Sequence, residues 1–142
     1  YVYWKLGRRW ALTGEVLFED FDRDNISRRD QPDEVDTVMI PLAARYFGPK
    51  GFFGVLEVNA VHQNVDRPDN DSELEGDEAF ALINAAVGLR LPQRRGILSL
   101  EVRNLFDDQF RFQDDDFRAG SEVHRSTLLP ERTFVARITL NL

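Results

Sequence analysis

The sequence predicts an all-β chain: about seven antiparallel, up-and-down strands forming a segment of a transmembrane β-barrel. Three observations predict it. Apolar and polar residues alternate with period two over seven stretches. The connections between those stretches alternate between short and basic and long and acidic. The charges in mid-strand share one face and leave the other apolar.

Composition clears the ground for this reading. With 42% apolar and 11% aromatic residues in 142, the chain is too apolar to be disordered. Its 18 Lys+Arg against 25 Asp+Glu give a formal charge of −7 without a dense basic patch, so nucleic acid is not an expected partner. The absence of cysteine excludes a disulfide framework, a thiolate metal site and a Cys nucleophile. Two histidines, His62 and His124, give little for a His-based metal centre. No apolar run approaches the ~20 residues of a membrane helix.

The strands are expected at about 1–7, 10–22, 36–47, 52–65, 78–91, 97–112 and 132–142. Most exceed the ~5–6 residues of an ordinary globular strand and suit a tilted membrane strand of ~9–11. In the second, Trp10, Leu12, Gly14, Val16 and Phe18 oppose Thr13, Glu15 and Glu19. In the third, Val38, Ile40, Leu42, Ala44 and Tyr46 oppose Thr37, Met39, Ala43 and Arg45, and Pro41 suggests a bulge or a sheet edge. In the fourth, Leu56, Val58 and Ala60 oppose Glu57, Asn59 and Gln63. In the fifth, the odd-numbered residues from Ala79 to Leu91 oppose Asn84, Gly88 and Arg90. In the sixth, Leu98, Leu100, Val102 and Phe106 oppose Ser99, Glu101 and Arg103. In the seventh, Phe134, Ala136, Ile138, Leu140 and Leu142 oppose Arg137, Thr139 and Asn141.

Three segments, Glu19–Asp36, Asn64–Glu78 and Asp107–Glu131, hold 22 of the 25 acids. The turns Gly7–Arg9, Gly48–Gly51 and Pro92–Gly96 hold five basic residues and no acid. A membrane barrel sorts its connections in this way, with short turns on the periplasmic side and longer loops outside. Aromatics agree. Trp10, Tyr46 and Phe52 fall on the apolar face beside the short turns, and Phe18, Phe106 and Phe134 fall on it near the long loops. Two aromatic rows around an aliphatic band match the interfacial girdles of such a barrel. A soluble β-sandwich would instead bury the same face.

The polar face then lines a watery lumen through Glu15, Arg45, Glu57, Arg90, Glu101, Arg103 and Arg137, with Lys5 beside them. Mixed signs point to mutual pairing more than to an ion-selective pore. In the last long loop, Phe110, Arg111, Phe112, Phe117 and Arg118 form a candidate ligand surface on a rigid hairpin, with aromatics to stack and guanidinium groups for anions. The acidic runs Asp69–Glu75 and Asp114–Asp116 offer hard oxygen ligands that would suit Ca²⁺, weakly; no other cofactor or metal is expected. His62, Asp66 and Ser72 are the one conceivable triad. Strand parity sets His62 on the apolar face and nothing arranges the three, so no catalytic residue is expected and the chain is not read as an enzyme.

Two motifs carry a resemblance. Val102-Arg103-Asn104-Leu105-Phe106-Asp107-Asp108-Gln109-Phe110 resembles the V-x-N-L-F-D-x-x-Y/F pattern near the end of TonB-dependent outer-membrane receptors. Pro130-Glu131-Arg132-Thr133-Phe134, followed by Val135–Leu142, resembles their P-G-R-T-F segment and closing strand. Glu131 stands where the pattern has Gly, and Leu142 where it has an aromatic. The resemblance covers about residues 97–142; upstream it is architectural only.

The resemblance implies a role in ligand uptake across the outer membrane through a barrel of about 22 strands with a plug in its lumen. The implied partners are outer-membrane lipid and lipopolysaccharide, and the barrel assembly machinery through the closing strand. TonB would be reached only through N-terminal regions that this sequence lacks. The odd strand count and a start in mid-pattern at Tyr1-Val2-Tyr3-Trp4 lead to the expectation that residues 1–142 are the C-terminal strands of a larger barrel, without its plug. The alternative is a passive structural or exporter barrel fused to a periplasmic repeat domain.

Overall fold

The computed structural model describes residues 1–22, 34–66, 76–110 and 131–141. They form an all-β, antiparallel structure in one open sheet of eight strands. The strands are β1 (Val2–Leu6), β2 (Trp10–Gly14), β3 (Leu17–Asp22), β4 (Glu34–Phe47), β5 (Phe52–Asp66), β6 (Gly76–Arg90), β7 (Gly96–Arg103) and β8 (Thr133–Leu140). Sheet order follows chain order, β1-β2-β4-β5-β6-β7-β8, with β3 beside β4. β1 and β8 are the two edges, and they are not paired with each other.

The eighth strand comes from Pro41. Sequence alternation treats 10–22 as one strand, and its register is in fact unbroken: Gly14 pairs with Leu42, and Leu17 with Met39. The Glu15 N–H donates to the Pro41 carbonyl at 3.1 Å. The reciprocal rung needs an N–H at position 41, which proline lacks. Pro41 therefore deletes one rung and divides β2 from β3. The expected bulge or edge does not arise, because β4 pairs on both sides and Pro41 faces Asn59 of β5 in register.

The sixth expected strand is also shorter than alternation indicates. β7 ends at Arg103, and the chain turns at Asn104 (φ 48°) and again at Asp107 (φ 61°). Both are residue types that tolerate the left-handed region. Parity beyond Arg103 therefore does not extend the strand to residue 112, and Phe106 lies in the turn, exposed.

All three short turns lie at one end of the sheet. The β4–β5 and β6–β7 turns are both led by proline, at Pro49 and Pro92, and in both the next residue is left-handed (Lys50 φ 59°, Gln93 φ 58°). Gly51, at φ 89°, closes the first of them against β6, where a Cβ would stand 2.4 Å from the Arg90 carbonyl oxygen. The Phe47 N–H donates to the Arg9 carbonyl at 2.7 Å, and Asn141 Nδ2 donates to the Arg94 carbonyl at 2.7 Å. These bonds tie the turns to neighbouring strands. No helix among the described residues is long and apolar enough to cross a membrane, which says nothing of crossing by strands.

Directly opposed residues share a face, so the pairing assigns both faces without ambiguity. One carries Leu42, Val58, Ile83 and Val102 in mid-sheet, with Val87–Leu100 and Leu98–Ile138 as opposed pairs. Among the described residues no second layer covers it: Leu100 is 62% exposed, Ile138 70% and Val87 50%. Buried hydrophobic residues in the described chain are only Ala11, Val61, Val65 and Phe110. Toward the long connections this face ends in carboxylates, where Asp20 opposes Asp36 and Asp22 opposes Glu34.

On the other face, Phe53 of β5 lies over Gly88 of β6, its partner in register. A Cβ on Gly88 would stand 2.3 Å from Phe53 Cζ and 2.6 Å from the Leu98 carbonyl oxygen. Glycine here gives the ring a floor. Gly88→Val is expected to destabilise the fold by ~1–3 kcal/mol through overpacking. Urea unfolding of the protein checks this, and Phe53→Ala in the same background recovers only part, because the Leu98 carbonyl stays in place.

Candidate functional site

The polar face brings together every charge singled out in the sequence. Lys5 opposes Ala11, which opposes Arg45. Glu57 lies between Ala43 and Asn84, Glu101 between Ala86 and Val135, and Arg137 opposite Ser99. Arg90 opposes Ile97 and sets its guanidinium 5.3 Å from the Phe47 ring centroid. Glu15 stands beside Pro41 on the same face. Arg45 reaches two partners, Thr13 Oγ1 at 3.0 Å and Glu57 Oε1 at 3.3 Å. Arg103 Nε donates to Glu101 Oε1 at 2.6 Å. An open depression of about 340 Å³ is lined by Arg45, Glu57, Asn84, Glu101 and Arg137 together with apolar Phe53, Val55 and Ile97. Half-exposed pairs of this kind add little stability. They set donors and acceptors side by side on this face.

The loop end of the same face is different. Thr37, Val61, Gln63 and Val65 are buried there. Phe110 comes down onto this patch and stacks on Phe80, with centroids 4.3 Å apart and planes at 23°. Phe110 is only 8% exposed, so it packs against the sheet. The other candidate ligand residues, Arg111, Phe112, Phe117 and Arg118, lie outside the described residues, as do both acidic runs considered for Ca²⁺. Among the described residues, no three His, Asp or Glu side chains are grouped to hold a metal ion. His62 is on the apolar face opposite Ala79, its Nδ1 3.3 Å from Asp77.

The two sequence motifs meet. Arg103 pairs with Thr133, closing β7 and β8 across the connection of residues 104–132. Asn104 is 3% exposed and organises the turn. Its Oδ1 accepts from the Asp108 N–H at 2.9 Å, and its Nδ2 donates to the Asp108 carbonyl at 2.9 Å. A side-chain amide here bonds both polar groups of one peptide residue, as only Asn or Gln can. The Asn104 N–H donates to Asn84 Oδ1 at 3.0 Å, and the Leu105 N–H to the Ile83 carbonyl at 2.8 Å, so the turn is fastened to β6. Asp107 then reaches the second motif. Its Oδ1 accepts from the Arg132 N–H at 2.8 Å, and its Oδ2 lies 3.5 Å from the Arg132 guanidinium. Thr133 Oγ1 donates to the Glu131 carbonyl at 2.9 Å. Phe134 opposes Val102 on the apolar face, 77% exposed. Pro130 lies outside the described residues.

No family model, no curated protein and no solved structure matches this chain.

One of the two expected aromatic rows also takes shape. Trp10 and Tyr46 rings are 4.9 Å apart and Tyr46 and Phe52 6.5 Å apart, a continuous row across three strands beside the short turns. Sequence reading overlooked Asn84, whose amide receives the turn, and the Phe80–Phe110 stack. Both depend on cross-strand register, and no local spacing signals either.

Asn104→Ala is expected to cost ~1–3 kcal/mol, because it removes two bonds at a buried site and puts alanine in a left-handed conformation. Asn104→Asp restores one acceptor and recovers part. The shift of the urea midpoint, with hydrogen exchange at the β7 and β8 amides, measures the loss and its location.

Proposed function

We propose that this chain is a stretch of wall from an outer-membrane transport barrel of the TonB-dependent receptor type. The observation that carries the membrane part is the uncovered apolar face. Leu100, Ile138 and Val87 are 62%, 70% and 50% exposed, and no layer among the described residues covers them. Soluble chains rarely leave contiguous apolar area of that extent in water. Acyl chains would cover its middle at no cost in polar contacts, because the mid-strand charges point the other way and the carboxylates Asp20, Asp22, Glu34 and Asp36 stand only at its loop end.

Dimensions support the reading. Trp10 to Phe18 separates the two aromatic rows by eight residues, and such a span is ~26 Å of extended chain. At a barrel tilt of 35–45° this gives a band ~20 Å tall, near the ~25 Å expected. β4, β5 and β6 run 14, 15 and 15 residues, long enough to cross with ends to spare. An unpaired edge is untenable in hydrocarbon, where backbone groups find no water. β1 and β8 would therefore join through further strands of the same wall to close the barrel.

The receptor part rests on the two motifs. Their likeness to the family's pattern gains physical content from the Asp107–Arg132 link and the Asn104 turn, which join them into one clasp. In this reading the long connections face outward and capture ligand, while Arg45, Glu57, Glu101 and Arg137 line the wet path inward. The role is transport and binding.

An Arg at Leu100 would be held against acyl chains near mid-band and is expected to cost ~2–4 kcal/mol in a bilayer. An Arg at Ser99, its neighbour on the polar face, is expected to be far milder. Folding of Leu100→Arg and Ser99→Arg into lipid vesicles measures the pair; equal tolerance would overturn the assignment of lipid to the apolar face.

A further inference from the structure

We infer that the short-turn end of the sheet is a docking rim for anionic phospholipid headgroups. Arg8 and Arg9 in the β1–β2 turn, Lys50 in the β4–β5 turn, and Arg94 and Arg95 in the β6–β7 turn all stand at one end of the sheet, and all are exposed. Among the described residues none of the five is in an ion pair with a carboxylate, and the three turns contain no acid. The backbone of each turn is tied to a neighbouring strand. The Arg9 carbonyl receives the Phe47 N–H, Gly51 is closed against the Arg90 carbonyl, and Asn141 donates to the Arg94 carbonyl.

The row Trp10, Tyr46 and Phe52 lies next to these turns on the apolar face. Aromatic rings of this kind sit at headgroup depth. A cation one to three residues beyond such a ring stands at the level of lipid phosphates. The opposite end cannot serve the same ligand, since its apolar face ends in Asp20, Asp22, Glu34 and Asp36. The charge asymmetry thus gives the sheet one end that attracts anionic headgroups and one that repels them. Basic residues near an anionic surface gain from each added charge, and salt screens the gain. The occupant is a phosphatidylglycerol-type headgroup in the leaflet at the short-turn end.

This inference rests on the membrane reading above, and one experiment separates the two. The intact protein that contains this chain is reconstituted into phosphatidylcholine bilayers holding a trace of spin-labelled phosphatidylglycerol or spin-labelled phosphatidylcholine. The motionally restricted fraction reports lipid at the protein surface. The expected result is a ~2–3-fold preference for phosphatidylglycerol. That preference falls toward one in ~0.5 M salt, where the Debye length is ~4 Å. It falls likewise when Arg8, Arg9, Lys50, Arg94 and Arg95 are all changed to Gln. The salt arm uses the unaltered protein and does not depend on the variant folding. Restricted lipid with no headgroup preference overturns the inference and leaves the membrane reading intact. A preference that survives the five substitutions also overturns it, since the cations would lie elsewhere. No restricted lipid at all removes the membrane reading and this inference with it.

Discussion

Everything in this structure depends on one constraint: a single β-sheet carries a continuous apolar face that no second layer buries among the described residues. A sheet in water solves that problem by folding onto another sheet or a helix. Here β1 to β8 use their whole length in side-by-side pairing, and Leu98, Leu100, Ile138 and Val87 remain open. Stability from burial must then come from whatever covers that face. Among the described residues the buried hydrophobic ones, Ala11, Val61, Val65 and Phe110, are too few to make a core under the sheet.

The same constraint organises the polar side. Once the oily side chains take one face, the charges in mid-strand take the other, because side chains alternate, and acids appear on the apolar face only at its loop end. Arg45 with Glu57 and Arg103 with Glu101 are the outcome, ion pairs formed within a hydrated wall. At the loop end the wall changes character. Gln63 and Thr37 are buried beside Val61 and Val65, and Phe110 stacks on Phe80. That packing fixes where the chain leaves β7. The Asn104 turn and the Asp107–Arg132 link then hold the two ends of a long connection together, so that its interior can differ in sequence without unzipping β7 from β8.

Both faces were legible in the sequence residue by residue, since parity is a local property and β-pairing preserves it. The short turns were legible too, because Pro49, Pro92 and the glycines signal chain reversal. Two features were not. Alternation through Phe106, Phe110 and Phe112 reads as more strand, yet Asn104 turns the chain at φ 48° and Phe110 folds back onto β6. Period two cannot distinguish a strand from a segment that reverses and packs. Pro41 was legible as a disruption, but not in kind. Whether proline bulges a strand or only deletes a rung depends on the partners' register, which no single strand reveals. Within the clasp, Asn104, Asp107 and Arg132 stood out through their motifs, whereas Asn84 did not, since its part is defined by a strand twenty residues away.

The central claim, that the apolar face meets hydrocarbon, is tested most directly along β6. The chain contains no cysteine, so a single spin label can be placed in turn at each position from Leu82 to Val87 and at Leu89, passing over Gly88, where a side chain would meet Phe53. Collision with oxygen, which partitions into lipid, is compared with collision with a water-soluble nickel chelate in lipid bilayers. The account predicts a two-residue alternation, with Ile83, Ala85, Val87 and Leu89 open to oxygen and Leu82, Asn84 and Ala86 open to the chelate. Labels at Ile83, Ala85 and Val87 shielded from both reagents, as in a packed protein interior, would contradict it.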